Sequence, residues 1–222
     1  MNPELSILMT SDGSTTILNP DLEETYHSVH GATIEAEHVY ITNGLEYFLN
    51  SASTPEARIF EVGFGTGLNA CLSYQYAVLK QVAIRYTTIE SFPLPAQIVQ
   101  QLQFPALDKN KLEKIHQADW NAWVAPDDFF SIQKIHGKIQ NFQLPEKSTD
   151  VIYFDAFAPS KQPDMWVPEI LKKMYDGLSE NGVLVTYCAR GQFQRDLRAL
   201  GFLVEALPGP PGKRQMVRAI KS

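Results

Sequence analysis

Residues 151–166 read VIYFDAFAPSKQPDMW, an apolar run that closes on a carboxylate and continues into a loop rich in proline and aromatic rings. A strand ending at Asp155 puts that carboxylate at the carboxyl end of a sheet, where open α/β folds bind ligands beside the switch in strand order. With Phe157 and Pro159 close behind, the arrangement suits an amine. The carboxylate holds the N–H groups while the nitrogen lone pair faces an electrophilic methyl group. Methyl transfer is an in-line displacement, so alignment supplies much of its acceleration. A free aspartate, with a pKa of about 3.9, is a weak base for an amine proton. Asp155 is therefore assigned orientation first and proton acceptance second. Lys161 and Trp166 follow on the same loop, Trp166 as a stacking platform for a base or as a core anchor.

A second stretch, IFEVGFGTGLN at residues 59–69, sets Gly63, Gly65 and Gly67 in a G-x-G-x-G loop between a strand and a helix. Glycine permits the tight turn and lets a ligand approach the backbone. The dinucleotide fingerprint is G-x-G-x-x-G, and Leu68 occupies the place of its third glycine, which argues against NAD. Glu61, before the loop, suits a cationic ligand such as the amino-acid moiety and sulfonium of S-adenosylmethionine, and Asn69 joins this donor set. Glu90 ends the next strand, YTTIE, where an acid accepts from the two ribose hydroxyls. Together these residues point to an adenosyl ligand.

These residues must be positioned by a sheet. From Arg58 onward, strands (RIFEVG, IRYTTIE, FFSIQKIHG, TDVIYFDAF, GVLVTYC, FLVEAL) alternate with helical stretches (GLNACLSYQYAVLKQ, PAQIVQQLQ, VPEILKKMYDGLSENG, GQFQRDLRALG). Such alternation is the pattern of a parallel α/β sheet. The helix opening at Val167-Pro168 is expected to stop at Asn181-Gly182. FLVEAL and RQMVRAIK are separated by PGPPGK, too short for a crossover, so they pair antiparallel. The expected fold is a doubly wound, Rossmann-like class I methyltransferase sheet with a reversed C-terminal β-hairpin. Ahead of it stands a small β-rich extension, with LSILMT and TTILN as a hairpin and HVYITNG as a further extended run. Residues 1–50 are assigned to the extension and 51–222 to the methyltransferase domain.

The 222 residues, 44% hydrophobic and 20% charged, are ordinary for a globular protein. No apolar run approaches the roughly 20 residues that span a bilayer, so no membrane association is expected. MNPELSILMT lacks the features of a secretion signal. Two cysteines, Cys71 and Cys188, exclude a disulfide framework and fit a reducing cytoplasm. Five histidines form no metal-ligand pattern, HSVH at residues 27–30 lacking a third ligand, so no metal is expected. A net charge of −6 excludes a protein that coats nucleic acid, yet the charge is polarised. Residues 1–60 carry nine acids against one base, and residues 190–222 seven bases against two acids. Arg190, Lys213 and Arg214 belong to that basic end, which can meet phosphates locally or be only a solvated surface.

In chain order, YHSVHGA, HVYITNGL, EVGFGTGLN, IESFPL, DAFAPSKQPDMW and GPPGKRQM resemble the methyltransferase part of the tRNA 5-methylaminomethyl-2-thiouridine biosynthesis family (MnmC, with MnmD as the stand-alone form), over Tyr26 to Met216. The resemblance implies S-adenosylmethionine as donor and the aminomethyl group of a tRNA wobble uridine as acceptor. It implies that Gly63, Gly65, Gly67 and Glu90 bind the donor and that Asp155 contacts the amine. Lys213 and Arg214, at the substrate entrance, would then be available to phosphates. The FAD-dependent oxidase half of the bifunctional enzymes is not expected in this chain, so the aminomethyl uridine would be supplied by other enzymes, and the chain is expected to act as a monomer. One departure concerns adenine: Lys138 stands where such enzymes place an acid, leaving Asp119, Gln140 or a backbone carbonyl to replace it. Rival readings are a polyamine synthase or small-molecule N-methyltransferase of the same fold, a non-catalytic adenosyl-binding protein, and a flavin or NAD oxidoreductase.

Overall fold

The computed structural model describes residues 5–52 and 55–222. Residues 1–4 of the expected extension, and 53–54 beside its expected boundary, lie outside the described residues. The strands are β1 (Ser6–Met9), β2 (Thr15–Asn19), β3 (Glu24–Thr25), β4 (Glu56–Val62), β5 (Ala83–Glu90) and β6 (Trp123–Asp127). They continue with β7 (Phe130–His136), β8 (Thr149–Phe154), β9 (Leu178–Thr186), β10 (Phe202–Pro208) and β11 (Gln215–Lys221). The helices are α1 (Ala32–Ala36), α2 (Tyr47–Ser51), α3 (Leu68–Lys80), α4 (Ala96–Val99), α5 (Lys109–Gln117), α6 (Pro168–Gly177) and α7 (Gly191–Ala199). No helix among the described residues is long and apolar enough to cross a membrane.

Eight strands form one sheet in the order β10-β11-β9-β8-β4-β5-β7-β6, beside a small β1-β2-β3 sheet. The central strands β7, β5, β4, β8 and β9 run parallel. β11 enters antiparallel between β9 and β10, as the short GPPGK link requires. β4 is the switch point: the chain first builds outward through β5 and β7, then returns to the other side of β4 with β8. The loops after β4 and β8 therefore open side by side, and Asp155 N–H bonds Val62 O at 3.1 Å.

Strand alternation sorts the core onto two faces. Ile59, Val151, Tyr153, Val183 and Val185 face one core with Val39, Cys71, Tyr74 and Ala77. Phe60, Val62, Ile152, Phe154 and Leu184 face the other, with Ile170, Met174, Phe193 and Leu197 from α6 and α7. By the same alternation Glu61 points with Ile59 toward α3.

Two sequence expectations are corrected. HVYITNG is not extended; Glu37–Glu46 form a π-helical stretch that joins α1 to α2. Its buried residues Val39, Tyr40, Gly44 and Leu45 recur at a spacing of five, which the wider π turn brings onto one face. Contact with the sheet thus overrides the strand preference of Val39, Tyr40 and Ile41. Secondly, α6 stops at Gly177 rather than at Asn181-Gly182, because Leu178 is already extended (φ −71°, ψ 141°) and starts β9. Asn181-Gly182 instead lies in the irregular stretch where the β8–β9 register slips; a Cβ on Gly182 would sit 2.8 Å from Ser179 O. α5 and β6 lie in a segment to which the sequence pattern assigns no element.

Candidate active site

At the switch point a cavity of about 870 Å³ opens between the β4, β5 and β8 loops and the N-terminal segment. Its size suits a nucleoside-sized ligand with part of a second molecule. Gly63, Gly65, Asn69, Glu90, Asp155, Phe157 and Lys213, all expected at a site, line it. Tyr26, His27, Glu35, Tyr40 and Tyr187 line it as well.

The glycine loop is shaped for close approach. Gly63 has φ +95°, and a Cβ there would lie 2.8 Å from Asp155 O, so the two loops pass each other only without a side chain. Gly67 has φ +74° and starts α3. It does not border the cavity, since Phe64 and His116 stand 3.1 Å from where its Cβ would be. Glu90 secures the loop by accepting from Gly65 N (3.1 Å) and Phe92 N (2.9 Å), one oxygen each. A carboxylate has about four lone-pair sites, so two remain for vicinal hydroxyls. The side-chain-free cradle beside Glu90 fits the amino-acid and ribose parts of S-adenosylmethionine.

Asp155 is held from two sides. Tyr40 OH donates to Oδ1 at 2.5 Å and Asn69 Nδ2 to Oδ2 at 2.8 Å. Burial pushes Asp155 up to about 6, opposed by these two hydrogen bonds. At neutral pH it is ionised but a stronger base than an exposed aspartate. Asn69 Nδ2 also donates to Glu61 Oε1 at 3.1 Å. Glu61 is 0% exposed and lies behind the loop rather than at the cavity wall, which corrects its expected contact with the donor. Burial holds its pKa well above the usual carboxylate range. Among the described residues, Glu61 Oε2 and Asn69 Oδ1 are buried without a hydrogen-bond partner.

The other wall is built from both ends of the chain. Lys213, on the β10–β11 loop, donates to Glu35 and stands 3.7 Å from the Tyr187 ring centroid. Glu35 is 8% exposed and also accepts from Ser28 N at 3.1 Å. Lys213 is thus neutralised inside the cavity, which corrects its expected availability to phosphates. His27 Nε2 lies 2.6 Å from Thr66 Oγ1, and burial lowers its pKa to about 4, so it is neutral here. Tyr26 meets Phe157 edge to face at 5.1 Å.

Besides Glu61 and Gly67, six expected residues do not line the cavity: Asp119, Pro159, Lys161, Trp166, Arg190 and Arg214. Trp166 is 8% exposed and packs at 5.0 Å on Phe154 and on Phe193, so it anchors the core and stacks on no substrate. Its Nε1 donates to Phe157 O at 2.8 Å, which ties the loop down. Lys161 pairs with Glu23 at 3.4 Å. Asp119, Arg190 and Arg214 are exposed. Lys138 is exposed too, and Gln140 bonds Asp164 at 3.0 Å, while His136, Gly137 and Ile139 of the same stretch line the cavity. No group of three or more His, Cys, Asp or Glu side chains among the described residues could hold a metal ion. Tyr40, Glu35 and Tyr187 escaped sequence reasoning; only the closeness of YHSVHGA to HVYITNGL marked the region of Glu35 and Tyr40.

Residues 97–222 match the S-adenosyl-L-methionine-dependent methyltransferase family. The chain belongs to that family. S-adenosylmethionine is accordingly the methyl donor of this methyltransferase, and the glycine loop, Glu90 and the sheet order agree. The methyltransferase is 31% identical over 242 residues to the tRNA 5-methylaminomethyl-2-thiouridine biosynthesis bifunctional protein MnmC of Pseudoalteromonas atlantica, covering 96% of this chain and 33% of that protein. The corresponding Burkholderia thailandensis protein is 27% identical over 227 residues, covering 96% and 34%. This chain therefore spans about a third of the length of these curated relatives. Its fold matches the crystal structure of MNMC2 from Aquifex aeolicus with a TM-score of 0.79 at 24% identity, covering 98% of this chain and 70% of that one. A probable spermidine synthase from Corynebacterium glutamicum shares the fold at a TM-score of 0.55 and 16% identity, covering 98% and 76%.

Proposed function

We propose that this methyltransferase transfers the methyl group of S-adenosylmethionine to the amine of 5-aminomethyl-(2-thio)uridine at the tRNA wobble position, giving 5-methylaminomethyl-(2-thio)uridine. The supporting observation is the Asp155 carboxylate, held at the cavity wall by Tyr40 and Asn69 beside the glycine loop. The names of the relatives that span this chain supply the class of acceptor. Sequence similarity favours this acceptor over a polyamine, since the likeness to a spermidine synthase concerns the fold alone.

The donor supplies an electrophilic methyl group on a sulfonium. Gly63 and Gly65 make room for its chain, Glu90 accepts from the ribose hydroxyls, and the His136–Gly137 backbone with Ile139 borders the adenine in place of Asp119. Asp155 turns the acceptor nitrogen by accepting an N–H. The amine enters as an ammonium and must shed a proton before its lone pair is free, and Asp155, at about 6, accepts that proton better than a free aspartate. Tyr26 and Phe157 form an apolar wall for the uracil ring. Arg190 and Arg214, exposed on the C-terminal side, meet phosphates outside the cavity. A tRNA substrate carries with it the cytoplasm as the place of action.

The test is Asp155→Ala on tRNA bearing 5-aminomethyluridine. Turnover falls at least about a hundredfold, while donor affinity measured by calorimetry stays within a few-fold. Equal losses of both would move Asp155 into the donor site and remove the support for amine chemistry.

A further inference from the structure

Asn69 carries an acceptor for which no described residue provides a donor. Its side chain is 3% exposed and borders the cavity. Asp155 fixes the orientation of the amide, because Nδ2 faces its ionised Oδ2 at 2.8 Å, with Glu61 Oε1 at 3.1 Å on the same NH2 group. Only the NH2 group can donate to both. Oδ1 is thereby fixed as a pure acceptor, buried and unpaired among the described residues. A buried acceptor left without a donor is costly, so it marks a place for a ligand N–H. The same 2.8 Å bond that orients the amide sets it beside Asp155, itself an acceptor on the cavity wall.

From this pair, and resting on the function proposed above, we propose that Asn69 Oδ1 is the second anchor of the acceptor amine and limits the enzyme to a single methyl transfer. A neutral primary amine has two N–H groups and one lone pair. One N–H goes to Asp155 and the other to Asn69 Oδ1, which leaves the lone pair aimed at the donor methyl. The N–C bond forms as the S–C bond breaks, the sulfonium becomes a thioether, and the extra proton on nitrogen passes to Asp155, which by then has released to solvent the proton it took from the entering ammonium. The product is a secondary amine with one N–H. It satisfies one anchor only, and its own methyl group fills the direction of the other. A second transfer would leave a buried acceptor unpaired and is slowed about ten- to hundredfold. Glu61 acts through Asn69, as a positioning residue that keeps the amide from flipping.

The experiment compares tRNA carrying 5-aminomethyluridine with tRNA carrying 5-methylaminomethyluridine, using methyl-labelled S-adenosylmethionine and mass spectrometry of the nucleosides. Wild-type protein methylates the primary amine and uses the secondary amine at least about tenfold more slowly. Asn69→Ala narrows that gap, yields a dimethylated nucleoside at long times, and binds the donor within a few-fold of wild type. Equal wild-type rates on both tRNAs overturn the inference without reference to any variant. So does an Asn69→Ala protein that loses donor affinity tenfold while its product ratio is unchanged, which assigns Oδ1 to the donor's ammonium and leaves the proposed function intact. If wild-type protein methylates neither tRNA, the proposed function falls and this inference with it.

Discussion

Replacing Tyr40 by phenylalanine isolates one hydrogen bond at the Asp155 carboxylate. The Tyr40 hydroxyl lies 2.5 Å from Asp155 Oδ1, and its ring packs on Tyr153 with centroids 5.1 Å apart. Phenylalanine keeps the ring and removes only the donor. Burial, followed by the charge of Asp155, holds the Tyr40 hydroxyl well above its ordinary pKa, so it donates at every working pH. A hydrogen bond to a charged group is worth roughly 1.5–3 kcal/mol, and a pKa unit about 1.4 kcal/mol. Loss of this bond therefore raises Asp155 by about one to two units, from about 6 to about 7–8. The assay is the pH dependence of kcat/KM with tRNA bearing 5-aminomethyluridine. Ionisation of the substrate amine is common to both proteins, so a displacement of the acid limb belongs to the enzyme. The acid limb of Tyr40→Phe moves to higher pH by that amount, with activity partly recovered above about pH 8. Superimposable profiles would refute the claim that Asp155 must be ionised and that Tyr40 sets its basicity.

Other consequences concern stability and binding. Burial lowers His116 to about 4, and its Nε2–H donates to Thr66 O at 2.9 Å. Because the folded value lies below the unfolded one of about 6.5, the unfolded chain binds a proton that the folded one refuses as pH falls. Stability present above about pH 6.5 is lost toward pH 4, and His116→Gln, which keeps an N–H donor, flattens urea-derived stability in that window; an unchanged slope contradicts it. Gly63→Ala forces a Cβ within 2.8 Å of Asp155 O at φ +95° and costs roughly 1–3 kcal/mol by chemical denaturation, with weaker donor binding; wild-type stability would show that the loop has room to spare. Reversing Arg190 and Arg214 together to glutamate weakens tRNA binding and reduces its salt dependence by about two phosphate contacts, whereas an unaltered slope rejects those arginines as contacts.

The sheet was legible because its strands are short apolar runs separated by helical periods and glycine punctuation, and because PGPPGK is too short for anything but a reversed hairpin. The segment that hid α5 is polar, with only Leu112 and Ile115 of its nine residues buried. Asp108, which caps α5 by accepting from Asn110 and Lys111 N–H groups, was a readable start signal nonetheless. The π-helical stretch was not legible, since Val39, Tyr40 and Ile41 favour strands locally and only packing on β8 and β9 turns them helical. In the site, Gly63, Gly65, Glu90 and Asp155 could be found because each ends or follows a strand at the switch point. Glu35 and Tyr40, from the continuous helical stretch that begins with α1, and Tyr187, after β9, reach the cavity from two distant segments, a convergence that local pattern does not encode. Trp166 was ambiguous in sequence because an aromatic ring after a catalytic loop serves a core as readily as a ligand.

Methyl transfer from labelled S-adenosylmethionine into tRNA, followed by digestion and nucleoside mass spectrometry, identifies the acceptor of this methyltransferase. Three acceptors are offered side by side: tRNA with 5-aminomethyl-(2-thio)uridine at the wobble position, the same tRNA with unmodified uridine there, and putrescine as a free diamine. One labelled methyl is expected on the aminomethyl nucleoside and none on the other two acceptors. Label on putrescine, or on tRNA lacking the aminomethyl group, with none on the aminomethyl nucleoside, would contradict the proposed function.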